Sequence, residues 1–157
     1  MIIRFERSVV VAAPLERVFA ELSEPARFLG LQPLLTEIRE VEAGPGMRAF
    51  EAIERVPILG PIAIRNRLHV EVTPLATAQR VKTAARAPLG IRVEAEFALA
   101  RDGSATRVRE SVAVTCPRWL HGFVRNTAIA AQEALLANLA RRLEASAPAD
   151  SATTALG

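Results

Sequence analysis

One carboxylate in the chain has apolar residues on both sides of it along its own face. In the run Val108-Arg109-Glu110-Ser111-Val112-Ala113-Val114, Glu110 alternates with Arg109 and Ser111 and shares its side with three valines. If those valines face a core, so does the carboxyl. A buried carboxyl needs a partner or a raised pKa, and either would suit orienting a ligand or moving a proton. The structural alternative is a β-bulge or strand end that swings Glu110 to solvent, or an ion pair with an arginine. Asn66 shares a side with Leu68 and Val70. It is either a hydrogen-bonding group on an apolar wall or the end of a strand. Glu51 and Glu54 fall on opposite sides of an extended run, so one should lean inward, and the pattern does not choose between them.

Other residue types with chemical potential lack the companions that chemistry requires. His69 alternates with hydrophobic residues on the charged side of its run, and His121 falls on the polar side of a helical one. Neither has Asp or Cys at ligand spacing, so no metal site is expected. Cys116 precedes Pro117 with no identifiable base nearby, and is expected to pack as a small apolar residue. Gly44 and Gly46 bracket Pro45 in a turn that no helix follows, so they are not a phosphate loop. Arg65, Arg67, Arg80 and Lys82 could form a basic stripe, but glutamates alternate with them and a solvated sheet face is expected. No cofactor is expected.

The composition narrows the function classes. The chain has 157 residues, half of them hydrophobic, and a net charge of +3 from 20 basic and 17 acidic residues. That suits one soluble domain with a real core and gives no large charge excess for nucleic acid. With no Tyr and one Trp, aromatic platforms for stacking bases are scarce. A single cysteine allows no internal disulfide. Charges interrupt the N-terminal apolar run, which does not read as a signal peptide, and no apolar stretch is long enough for a membrane span. A cytoplasmic monomer or homodimer without integral membrane association is expected.

The elements that would position Glu110 and Asn66 follow from periodicity. Residues 2–12 alternate and end in a β-branched run, a strand stopped by Ala13-Pro14. Leu15, Val18, Phe19 and Leu22 then recur at helical spacing. Ser23 is placed to cap a second short helix over 24–29, with Pro25 at its first position and Gly30 closing it. Strands are predicted over 34–42, 48–56, 62–73, 78–87, 91–99 and 106–115, the last two joined by the Asp102-Gly103 hairpin signal. Residues 118–146 form one long helix whose apolar side carries Trp119, Leu120, Phe123, Val124, Thr127, Ala130, Ala131, Ala134 and Leu135. Gln132 falls on its polar side. Residues 147–157 show no periodicity and read as a disordered tail. The class is α+β: a seven-stranded antiparallel sheet must cover one face, and only the last helix is long enough to do it.

This order resembles the helix-grip fold of the START-like and Bet v 1-like (SRPBCC) superfamily. The resemblance is closest to the bacterial polyketide cyclase/dehydrase and lipid transport group. It rests on the opening Arg7-Ser8-Val9-Val10-Val11-Ala12-Ala13-Pro14-Leu15-Glu16-Arg17-Val18-Phe19, on Pro33, on the Gly44-Pro45-Gly46 turn and on the helix ending Leu135, Leu139, Leu143-Glu144. It covers roughly residues 3–145, within a domain of 1–146, and implies a curved sheet gripping the helix around an apolar cavity. The wall residues expected on that basis are Phe50 and Asn66, Leu68 and Val70 on two strands, and Val93, Ala95 and Phe97 on a third. Glu110 and Val112 are expected from the last strand, and Trp119, Phe123, Thr127, Ala130 and Ala131 from the helix. The implied function is binding or carriage of a small hydrophobic molecule: a lipid, polyketide or aromatic metabolite. The alternatives are a cyclase/dehydratase using Glu110 as its acid–base group, and a protein-interaction or chaperone-like module.

Overall fold

In the computed structural model, side chains are described for residues 1–39 and 41–146. The tail expected over 147–157 lies outside the described residues. The chain opens with β1 (Ile2–Val11) and α1 (Leu15–Ser23), followed by a 3₁₀ turn at Pro25–Phe28. Six strands follow: β2 (Leu35–Gly44), β3 (Met47–Leu59), β4 (Ile62–Leu75), β5 (Arg80–Arg86), β6 (Arg92–Asp102) and β7 (Ala105–Thr115). A second 3₁₀ turn, Pro88–Gly90, separates β5 from β6, and a third, Arg118–Leu120, leads into α2 (His121–Leu156). The seven strands form one antiparallel sheet in the order β1-β7-β6-β5-β4-β3-β2. Every connection from β2 to β7 is therefore a hairpin between neighbours, and only β1 joins out of sequence, closing against β7.

Two local expectations are corrected. The second short helix is only the 3₁₀ turn, and Ser23 does not cap it; its hydroxyl donates backwards to the Phe19 carbonyl at 2.6 Å. A hydroxyl that finds a carbonyl one turn back has no need of the following amides. Trp119 belongs to the 3₁₀ turn ahead of α2, so the 3.6-residue spacing that placed it on the inner side of the helix does not reach it. It is 75 % exposed.

The sheet buries one face. On β1 the odd-numbered residues turn inward, from Ile3 to Val11, and on β7 Thr106, Val108, Glu110, Val112 and Val114 do so. Two apolar clusters fill the interior. The larger joins α1 and the latter part of α2 (Leu135, Leu139, Leu143) to Phe50, Val72, Phe97 and Val108. The smaller gathers Ile3, Val112, Val114, Cys116 and Val124 at the start of α2. Between α1 and α2 a polar clamp closes the first end. Arg142 donates to Glu21 at 2.8 Å and to the carbonyls of Arg27 and Leu29 at 2.6 and 2.8 Å. Gly30 adopts φ +84°, and a Cβ there would stand 2.8 Å from the Arg142 guanidinium. The glycine expected to close the turn is thus required by its backbone. Outside, the basic stripe is interleaved with acids: Arg80 and Lys82 both meet Glu96, and Arg92 meets Glu94 at 2.6 Å.

Candidate functional site: an apolar cavity with a buried carboxyl

Between the two clusters the helix stands away from strands β3 to β6 and leaves a cavity of about 390 Å³. β1 contributes nothing to its wall, because α2 lies against that strand, tied by Arg7 Nε to Glu133 at 2.9 Å. The helix side of the wall is Leu120, Phe123, Val124, Thr127, Ala128, Ala131, Gln132 and Leu135, a stripe with the three- and four-residue steps of one helical face. Of the wall residues expected from sequence, Phe50, Asn66, Leu68, Val70, Val93, Ala95, Phe97, Glu110, Phe123, Thr127 and Ala131 stand on it.

Three expected residues do not. Trp119 is exposed on its turn. Ala130 points to solvent, because the actual stripe is rotated toward Ala128 and Gln132. Val112 is buried, but it is used up in packing against the second cluster. Sequence reasoning in turn missed Gln132 and Ala128. The stretch Ala128-Ile129-Ala130-Ala131 is apolar on every side, so hydropathy alone leaves the rotation of the helix undetermined there.

The register settles the choice between Glu51 and Glu54. Glu54 pairs with Asn66 across β3 and β4, both line the cavity, and the Asn66 amide donates to the Glu54 carboxylate at 3.2 Å. Burial raises the Glu54 carboxyl above its ordinary value, with the Asn66 bond opposing it. Glu51 faces the other way, 3.1 Å from His69, which also approaches Glu71 at 3.6 Å. His69 is thereby a member of the charged outer face, and among the described residues no cluster of metal-ligating side chains occurs.

Glu110 is the unusual group. It sits between Arg7 of β1 and Phe97 of β6 in the ladder and has no solvent exposure. Neither carboxyl oxygen has a hydrogen-bond partner among the described residues. Desolvation alone pushes its carboxyl up to about 8, so at neutral pH it is chiefly the uncharged acid. Glu110 has no part in the Glu54–Asn66 pair. Glu110 lies on β7, whereas Asn66 and Glu54 lie on β4 and β3, beyond β6 and β5, next to Val56 and Ile64 toward the tip of the β3–β4 hairpin. Ile58, Ile64, Leu89 and Phe123 line the cavity and are also exposed, while Leu59 and Ile62 extend the apolar surface along the hairpin.

The family model described as polyketide cyclase/dehydrase and lipid transport matches residues 3–144. The chain belongs to this family. No curated protein matches the sequence. Among solved structures, the chain is similar to the Zhui aromatase/cyclase from Streptomyces sp. R1128, with a TM-score of 0.77 and 14% identity over 92% of this chain and 94% of that one. It is similar to a START superfamily protein from Mycobacterium smegmatis, with a TM-score of 0.66 and 17% identity over 90% and 97%. It also resembles norcoclaurine synthase from Thalictrum flavum in complex with dopamine and hydroxybenzaldehyde, with a TM-score of 0.67 and 14% identity over 93% and 88%. At these identities the likeness is one of fold. The family shares a helix-grip architecture, so what distinguishes this member is the chemistry of its own wall. Among its described residues no helix is long and apolar enough to cross a membrane.

Proposed function

We propose that this family member binds and holds a small hydrophobic molecule in the cavity under α2. The carrying observation is the apolar volume itself, about 390 Å³ walled chiefly by Val, Leu, Ile, Phe and Ala. A cavity of this size accommodates a molecule of a few fused rings or a short branched chain. Burying about 300 Å² of apolar ligand surface at about 25 cal/mol per Å² supplies about 7 kcal/mol before the cost of immobilising the ligand. A buried carboxyl with no polar partner, Glu110, suits orientation of a held molecule better than a concerted reaction. Mass spectrometry of small molecules released from the natively purified protein tests the reading. An apolar molecule should be recovered, and Ala131→Phe, which fills the cavity from α2, should abolish its recovery. Empty protein that also fails to bind neutral aromatic probes would overturn it.

One observation favours a second reading, a cyclase/dehydratase-type enzyme. A carboxyl pushed up to about 8 inside an apolar site is a competent proton donor near neutral pH. On that reading Glu110→Gln abolishes turnover of a polyketide-like substrate while binding persists. If turnover survives the substitution, Glu110 is not the acid.

A further inference from the structure

Among the described residues, the buried side-chain polar atoms without a partner are both carboxyl oxygens of Glu110 and the amide oxygens of Gln32 and Gln132. All three residues line the same cavity. Glu54 adds a second carboxyl to the wall, and among the described residues no Lys, Arg or His stands on it. In a chain of net charge +3, the cavity thus carries two carboxyls and unpartnered amide oxygens with no basic side chain beside them. The cation nearest Glu110 in register is Arg7, directly opposite it on β1. Its guanidinium is engaged elsewhere, with Nε on Glu133 and Nη1 donating to the Glu6 carbonyl, each at 2.9 Å. From α2 the charged group facing this region is Glu133, exposed and already held by Arg7. From β6 the neighbour is Phe97. What the wall lacks among the described residues is a cation.

We propose that the cavity is a receptor for a hydrophobic amine, whose ring or branched body fills the apolar volume and whose ammonium group donates to Glu110. This rests on the cavity-binding reading and narrows it to a ligand class. An ion pair formed away from water is strong when its hydrogen bonds are made, and an unpaired buried carboxylate is costly. The amine therefore supplies what folding leaves unsatisfied. A ligand carboxylate would bring a second negative charge into the same low-dielectric space and is disfavoured. The proton balance follows. At neutral pH the empty site holds the Glu110 carboxyl as its acid. An arriving ammonium ion keeps its own proton, the carboxyl releases one to solvent, and one carboxylate–ammonium pair remains.

Three probes with one aromatic body test this: naphthylmethylamine, naphthylmethanol and naphthoic acid, titrated calorimetrically into the full chain at pH 7 in buffers of different ionisation enthalpy. The amine should bind about tenfold more tightly than the alcohol, the acid should bind least, and close to one proton should be released per amine bound. In Glu110→Gln the amine should fall to the level of the alcohol while alcohol binding is retained. Arg7→Met should leave the preference intact. Equal or tighter binding of the alcohol or acid by the unmodified protein overturns the amine inference and leaves the cavity reading standing. An amine preference that survives Glu110→Gln, or arises only once Arg7 is removed, overturns it as well. Failure of all three probes to bind overturns both readings.

Discussion

Among the described residues, two buried glutamates divide the interior of this protein between them. Glu21, on α1, is 8 % exposed and meets two arginines: Arg142 at 2.8 Å and Arg27 at 3.8 Å. Glu110, on β7, is wholly buried and meets none among the described residues. Both carboxyls lose water on folding, but only the first has its lost hydrogen bonds replaced. The difference lies in the surroundings. Glu21 sits where α1, the 3₁₀ turn and α2 close one end of the core, so its partners come from the turn and from α2 and hold both to α1. Glu110 sits where the helix stands away from the sheet, and the space in front of it is cavity. An unpaired buried carboxyl calls for an explanation, and the one proposed here is the cavity in front of it.

The largest expected effect comes from Glu110. Its carboxyl titrates at about 8 in the folded protein, against 4.5 for an ordinary glutamate, so between these pH values the folded state holds a proton that the unfolded chain has lost. The native state is therefore favoured below 4.5 and loses about 1.4 kcal/mol per pH unit as pH rises toward 8, up to about 5 kcal/mol in all. Chemical denaturation across that range should show the decline, and Glu110→Gln should flatten it. A pH profile that is the same in both proteins would mean that Glu110 is hydrated or paired after all. Next in size is Arg142→Ala, which strips Glu21 of its closest partner and frees the carbonyls of Arg27 and Leu29. A loss of about 3 kcal/mol in unfolding free energy is expected. Arg142→Lys should recover only part of it, because one ammonium cannot reproduce a fork that serves a carboxylate and two carbonyls. If Arg142→Ala costs no more than a surface substitution, the clamp does not set the stability of that end.

How far these roles can be read from the residues themselves follows the same division. Strict alternation in 62–73 and 91–99 announces half-buried strands, and Asp102-Gly103 places a hairpin that the structure keeps, with Gly103 at φ +62°. Glu110 stands out for the same reason: alternation assigns it to the side of Val108 and Val112, and the structure agrees. What alternation does not supply is register. Only the pairing of Glu54 with Asn66 reveals that Glu54, and not Glu51, faces the cavity. Nor does hydropathy fix a helix's rotation through a run such as Ala128–Ala131, which is why the pattern puts Ala130 inside and Gln132 outside. Arg142 gives no sign of its importance in the sequence, because an arginine clamp is made by carbonyls brought close in space, and carbonyls are the same in every residue.

The smallest expected effect separates pairing from burial. Glu16 is paired but not buried: Arg101 hydrogen-bonds its carboxylate across the α1–β6 contact, and both side chains are more than half exposed. The Arg101 guanidinium, with help from Glu16's own backbone amide, holds that carboxyl below its usual range against a slight opposing desolvation. The pair therefore favours the native state above the ordinary carboxylate pKa, and that contribution fades as pH falls through the lowered folded value. Water and salt screen an exposed pair of this kind, and two long side chains lose freedom in making it. Arg101→Ala should accordingly leave the denaturation midpoint at neutral pH unchanged within error, in low and high salt alike. If it shifted the midpoint as far as Arg142→Ala, contact between opposite charges would itself be the source of stability, irrespective of burial. The same three glutamates would then have to be ranked by partners alone, and the unpaired state of Glu110 would count as a weakness of the fold before it counted as a feature of the cavity.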